Sequence, residues 1–392
     1  MLASASLARL AGRIFVFAII LFTLDRFQSA EIAGWAAFAS VAPGLLISPV
    51  AGALLDRVGA ARSIALDISL SAATLGVLVA TSLMDALSVP LLLALMVVFS
   101  STNPLSAAGI RVLLPRLAPE HALDRINAID MSSYSCIDVL GPLLGGLLYA
   151  AVGGENTLLV VAVLYAGAVV SMLPIVRRTA SDPAPAGSAQ TGLLQASLAG
   201  LLYVVKHRTL RGLAMSYSLY QVSWGVLAVA VPVFVRERTA DLAHADSMNG
   251  LLWSVAGVAG ACGALLIGHL RTDDRERRFI ILGTLATAIA IFPISVSGGL
   301  IGLGVGMALV GLLEGGVNVG VLSLRHRRTD PEQLGRVLAV SISLNMSGLP
   351  VGSAIAGMLV GSSVNSAFLV GGVAALLAAV SARFLIPEGS KS

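Results

Sequence analysis

Asp138 and Glu314 are the acids in this chain whose surroundings make an ionised carboxylate most costly. Asp138 lies about eleven residues, ~16 Å, into an apolar run that begins near residue 127. An acid at such a depth must be paired, wetted or protonated. It can therefore bind and release a proton, or it can be a structural acid held by an Arg or by hydroxyls such as Ser135. Glu314 lies inside another apolar run with Asn318 one turn on, so both share a helix face as a polar wall and a second proton site. The Gly311, Gly315 and Gly316 cluster around it leaves open a purely packing role. Tyr217, Tyr220, Gln221 and Trp224 follow at helical spacing. That stripe is expected either to line a substrate cavity and stack on a planar or amphipathic ligand, or to pack against lipid. Asn103 and Asn345 are further polar candidates. Asp67 is expected about one turn inside its span, in a charge network with Arg62 or Arg111. Asp130 suits a helix start near loop arginines, and the adjacent Asp25 and Arg26 mark an interface.

The elements that carry these residues are spanning helices. Of 392 residues, 57% are hydrophobic and 12% charged, and the mean hydropathy is +0.91. A soluble chain carries roughly twice that charge. Lipid offers no partner to backbone groups, so the expected fold is an all-α membrane protein. Twelve transmembrane helices can be drawn, at 7–25, 31–54, 63–83, 89–110, 127–150, 156–176, 212–235, 247–269, 279–297, 299–322, 336–360 and 364–386. The N-terminus reads as the first span rather than a cleaved signal. With this alternation, only Arg26, Arg236 and Arg238 of the 25 Lys and Arg residues fall on the side away from the N-terminus. Positive loops face the cytoplasm, which places both termini there. The pI of 9.4 then reflects loop arginines rather than nucleic-acid binding.

Residues 1–176 form one expected six-helix bundle and 212–392 another, with 177–211 as a cytoplasmic linker. Within it, 179–192 is rich in Ala, Pro, Ser and Gly, and 193–207 has an amphipathic pattern. The halves look duplicated. Gly52-Ala-Leu-Leu recurs as Gly263-Ala-Leu-Leu, and Pro119-Glu120 with Arg125 recurs as Pro331-Glu332 with Arg336, at the same offset. Repeated halves imply a binding site between them. Cys136 and Cys262 fall inside apolar runs and are read as small buried hydrophobes. The five histidines show no metal spacing, and no phosphate-binding Gly-rich loop is present, so no cofactor and no ATP-driven step are expected.

One charged turn joins the second and third spans: Gly52-Ala-Leu-Leu-Asp56-Arg57-Val-Gly59-Ala-Ala-Arg62. Its glycines allow close approach and a positive φ at Gly59. Asp56 can face a helix N-terminus, and the arginines can reach carboxylates or phosphates. This stretch resembles the signature between the second and third helices of the major facilitator superfamily of secondary transporters. Ala60 and Ala61 stand where that family usually has basic residues. The resemblance implies two pseudo-symmetric bundles, with Gly52, Asp56, Arg57, Gly59, Arg62, Asp67 and Arg111 at a cytoplasmic gate. Gly268 to Arg278 reads as a degraded second copy. Gly141, Pro142, Gly145 and Gly146 resemble the helix-bend motif of proton-coupled exporters, with Ile137 where that motif often has Gly. The stretch Leu113 to Ala128 and the stretch Tyr203 to Arg211 are similar to a branch containing siderophore exporters and macrolide-type efflux proteins.

The resemblance implies export of a small organic molecule in exchange for protons, by a monomer in the bacterial inner membrane. Asp138 and Glu314 would couple protons, while Tyr217, Tyr220, Gln221, Trp224, Asn318 and Asn103 would line the substrate cavity. An uptake symporter of the same fold and a non-transporting sensor or scaffold are the competing readings. No clustered catalytic set points to an enzyme.

Overall fold

The computed structural model describes residues 1–117, 122–179, 201–269, 275–329, 340–341 and 343–388, the side chains of 49, 50, 52, 53, 56, 123 and 124 excepted. Among the described residues, thirteen helices of ten residues or more have defined bounds. They are α1 (Leu2–Phe27), α2 (Ala30–Ala39), α3 (Ala42–Val58), α4 (Ala60–Leu83), α5 (Val89–Leu117), α6 (Leu123–Val152), α7 (Gly154–Thr179), α8 (Arg208–Arg236), α9 (Leu242–His269), α10 (Glu276–Ile289), α11 (Gly299–Arg327), α12 (Gly348–Val360) and α13 (Val364–Leu385). Among the described residues no strand occurs, and 12 helical stretches are long and apolar enough to cross a bilayer. Aliphatic side chains such as Leu265 and Ile301 stand exposed on helix surfaces, as lipid-facing positions require. The linker 180–192, most of the amphipathic stretch, the Pro119-Glu120 and Pro331-to-Arg336 matches and the middle of the second latch copy lie outside the described residues. Residues 201–206 are helical.

Two spans depart from single straight helices. The second is broken between α2 and α3, where Pro43 opens α3 and the Gly44 N–H donates to Ser100 Oγ at 2.9 Å. Proline supplies no N–H and fits the first turn of a helix, so it starts α3 rather than extending α2. The ninth span is interrupted at Ala290–Ile294, where Phe292 leaves helical backbone with φ −148° and ψ 118° ahead of Pro293.

The helices gather into two compact units, Met1–Phe27 with Ala39–Gln195, and Gln28–Phe38 with Ala196–Ser392. The sequence placed 28–38 in the N-terminal bundle. Here it groups with unit 2, because Gly34 and Gly357 bring two backbones together: a Cβ at Gly34 would lie 2.6 Å from Ser353 O. In unit 1, α1 packs on α6 and α7, α4 on α5 and α7, and α3 on α5. In unit 2, α8 packs on α12 and α13, α10 on α11 and α13, and α9 on α11. Counted in spans, the second pattern is the first shifted by six. Unit 2 is fastened at its chain end by Arg277, which donates to Glu388 and, at 2.5 Å, to Arg383 O. The two arginines hold the Glu388 carboxyl below its ordinary range.

Close glycine contacts recur at equivalent places. A Cβ at Gly141 on α6 would overlap Arg13 Cβ on α1, and one at Gly352 on α12 would overlap the Val222 backbone on α8. Gly141 and Gly352 have the same separation as Gly52 and Gly263. Overpacking such a contact costs about 1–3 kcal/mol. Gly141→Ala is therefore expected to lower thermal stability in detergent by about that amount. Gly167→Ala, with nothing within 4 Å of its Cβ, should be neutral or raise it by up to ~1 kcal/mol.

Candidate functional site

Unit 1 encloses a cavity of about 690 Å³ between α1, α4, α5, α6 and α7. Two matched rows of charge form one wall. On α1, Arg9 and Arg13 are one turn apart. On α6, Asp130, Tyr134 and Asp138 follow at the same spacing, so both rows present single faces. Arg9 donates two hydrogen bonds to Asp130, at 2.6 and 3.2 Å. Arg13 Nε lies 2.6 Å from Asp138 Oδ1, and its Nη2 donates to Tyr134 Oη at 3.2 Å. The Tyr134 ring sits beneath both guanidiniums, 5.4 Å from Arg9 Cζ and 5.8 Å from Arg13 Cζ. The Gly141 contact holds this register, because it sets Arg13 Cβ against α6 less than one turn beyond Asp138. Gly145 does the same for Phe17, 3.0 Å from its would-be Cβ. Pro142 stands inside α6 between them, and Gly146 is buried.

The wall across the cavity carries Asp67 on α4, Asn103, Ser106 and Arg111 on α5, and Tyr165 on α7. Asp67 is buried and among the described residues has no ion pair. The expected partners Arg62 and Arg111 do not reach it: Arg62 is exposed, and Arg111 lies further along the cavity lining. Helix α4 begins at Ala60 rather than at residue 63, so Asp67 lies about 10 Å inside it and Arg62 is part of the same helix, five residues before it and about 140° round its axis.

Unit 2 assembles the predicted aromatic stripe. Tyr217, Tyr220, Gln221 and Trp224 of α8 are all buried. The Tyr217 hydroxyl donates to Asn318 Oδ1 on α11, and Glu314 lies close enough to interact electrostatically with Tyr217 and Tyr220. Trp224 packs on Trp253 of α9 at 5.8 Å, and Gln221 Nε2 donates to Met346 Sδ at 3.2 Å. The stripe is thus turned inward within its unit and does not form an outer aromatic belt. Asn345 meets the Arg325 guanidinium at 2.5 Å once its amide is oriented for hydrogen bonding.

The latch turn is formed as its glycine demands. Gly59 has φ +89° and caps α3 through its N–H to Leu55 O at 2.9 Å. Ala60 and Ala61 are buried at the start of α4, and Arg57 and Arg62 are exposed. Gly52 lies within α3, and the side chain of Asp56 lies outside the described residues. Other expectations need correcting. Ser135 bonds back to Met131 O, 3.1 Å away, and does not hold Asp138. Both cysteines are exposed on helix surfaces rather than buried. Arg9 and Arg13 are not loop charges; they lie within α1 and pair across the cavity. Together with Tyr134 and Tyr165 they were missed as site residues. The signal was present: two arginines one turn apart, and an Asp-Tyr-Asp row of the same spacing.

The family model of the Major Facilitator Superfamily matches residues 1–275 and 213–392. The chain belongs to the Major Facilitator Superfamily. Its similarity to an uncharacterized MFS-type transporter, y4rN, of Sinorhizobium fredii is 42% identity over 100% of this chain and 95% of that protein. It is 28% identical to the multidrug efflux pump Tap of Mycobacterium tuberculosis, over 83% of this chain and 78% of Tap. In fold it is similar to the crystal structure of the nucleoside transporter NupG, with a TM-score of 0.77 at 11% identity, covering 98% of each chain. This superfamily member is a multi-pass membrane transporter.

The two ion pairs of unit 1 differ in burial, and stability should report it. The Arg9–Asp130 side chains are 18% and 6% exposed, those of Arg13–Asp138 45% and 37%. Removing one partner of a buried pair costs about 3–5 kcal/mol, whereas a solvent-screened pair contributes about 1 kcal/mol or less. Thermal unfolding of Asp130→Asn is expected well below the parent, and that of Asp138→Asn close to it.

Proposed function

We propose that the protein exports a small organic molecule across the bacterial inner membrane in exchange for protons, by alternating access, with both termini in the cytoplasm. The observation that carries this reading is the half-exposed Arg13–Asp138 pair on the wall of the unit 1 cavity. Asp138 is tied by charge to α1, and neutralising the carboxylate removes the ion pair of Arg13 with α6 and leaves its contacts with Tyr134. A proton arriving at Asp138 would therefore free a guanidinium inside the cavity, and a leaving proton would restore the pair. Glu314, beside Tyr217 and Tyr220, supplies the corresponding acid of unit 2. Tyr217, Tyr220, Gln221, Trp224 and Asn318 present an aromatic and amide surface suited to a planar or amphipathic organic molecule. Asn103 adds an amide to the unit 1 cavity.

Export is favoured over uptake by the likeness to Tap and by the Gly141, Pro142, Gly145 and Gly146 run, which resembles that of proton-coupled exporters. The gate reading of Arg57, Gly59, Arg62 and Arg111 rests on the same resemblance and on the formed turn at Gly59. Coupling is tested in proteoliposomes carrying an imposed pH gradient and a trapped pH-sensitive dye, against a panel of amphipathic organic compounds. Transported compounds should collapse the gradient with the parent protein. Asp138→Asn should slow that collapse at least tenfold while eluting as a monodisperse peak. Collapse at the parental rate in that variant would show that Asp138 has no part in coupling.

A further inference from the structure

The charges lining the unit 1 cavity do not cancel residue by residue. Arg9 is matched by Asp130 and Arg13 by Asp138, which leaves Asp67. Its side chain is 4% exposed, and Oδ1 has no hydrogen-bond partner among the described residues. The hydroxyls of Thr102 and Ser106 on α5 face its carboxyl, and Tyr165 of α7 is close enough to interact with it. Ser63 and Ser71 flank it one turn away on the same face of α4, both fully buried. The Oγ atoms of Ser63, Ser71 and Ser106 also lack hydrogen-bond partners. Asp67 is thus a buried acid surrounded by hydroxyls and, among the described residues, without an ion pair.

The charged and titratable groups that share this cavity are Arg9 and Arg13 from α1, Arg111 from α5, Asp130, Tyr134 and Asp138 from α6, and Tyr165 from α7. No described titratable side chain of α3 lines it. Among the described residues Arg111 is the one cation there without an acid, and it lies five residues beyond Ser106 along α5, about 7.5 Å in axial rise. An ionised Asp67 would therefore be a buried charge with no adjacent cation among the described residues, a condition that costs several kcal/mol. A carboxylic acid at the same place needs one acceptor for its O–H and can accept from hydroxyls with its other oxygen. The surrounding hydroxyls meet both needs.

Resting on the proton-exchange reading above, we infer that Asp67 holds the exchanged proton in the conformation described, while Asp138, clamped by Arg13, is ionised in it. Release breaks the Asp67 O–H bond, passes the proton to water in the cavity and leaves a carboxylate. Asp67 is thus a transport acid and not a gate residue.

Infrared titration of the purified protein in lipid bilayers tests this without a substrate. Above the range in which ordinary carboxyls titrate, the parent should still show the carbonyl stretch of a protonated carboxyl that disappears as pH rises further. Asp67→Asn should lose that titrating band completely, and Asp67→Glu should restore one at a shifted position. Asp138→Asn should keep the parental band. Monodisperse elution of each variant shows that it is folded. A band retained in Asp67→Asn overturns the assignment. A band removed by Asp138→Asn instead moves the proton to Asp138 and leaves proton exchange standing. Absence of any titrating band in the parent also overturns it. Gradient collapse by the same parent preparation then shows whether proton exchange falls with it.

Discussion

A bilayer interior gives a charge no partner, so each charge inside a span must find one within the protein. This constraint organises unit 1. Arg9 and Arg13 sit inside the first span because Asp130 and Asp138 stand opposite them in register, on a helix brought within reach by Gly141. The glycine, the two arginines and the Asp-Tyr-Asp row form one device. Without the glycine the helices separate; without the acids the arginines are stranded; without Tyr134 the guanidiniums lose the ring that both overlie. The close contact at Gly141 is the steric condition for an ion-pair ladder.

The same helix pairing recurs in unit 2 with different chemistry. Carried forward by the separation that relates Gly141 to Gly352, Arg9 and Arg13 correspond to Tyr220 and Trp224. The facing helix, α12, carries no acids at all, and its glycines touch the α8 backbone directly. Where unit 1 holds the Arg9 and Arg13 ion pairs, the equivalent place in unit 2 holds aromatic side chains, with Glu314 of α11 beside them. One duplicated scaffold thus carries an ionic face in one half and an aromatic face in the other.

Much of this was legible in the sequence. Apolar length and Arg placement were enough for twelve spans, and the Gly59 turn followed from residue type. The aromatic stripe was readable because one helix carries all of it, and Asn318 was readable as a neighbour of Glu314. Partners across helices were not, because a pairing such as Arg13 with Asp138 depends on the register of two helices far apart in sequence. Counting arginines by side of the membrane also hid Arg9 and Arg13, since the count treats every basic residue near a terminus as loop. The break at Pro43 was visible as a proline but not as a break, because Gly44 and Ser100 meet only in the folded chain.

Asp67 shows how a small error of boundary changes a functional reading. Two neutral, small residues after Gly59 let α4 begin at once, so Arg62 is itself helical and faces away from Asp67, five residues on. At one turn of depth the acid belongs to a surface charge network. At two turns it enters a cavity whose other acids are already matched. The family's usual basic residues at positions 60 and 61 would be difficult to bury here, for Ala60 and Ala61 are both packed inside. The alanines and the deep acid are therefore linked: small side chains at the turn let α4 seat closely against α5, where Gly109 meets Ile64 and the Ala60 carbonyl. That close seating turns Asp67 toward the hydroxyls of Thr102 and Ser106 instead of toward an arginine.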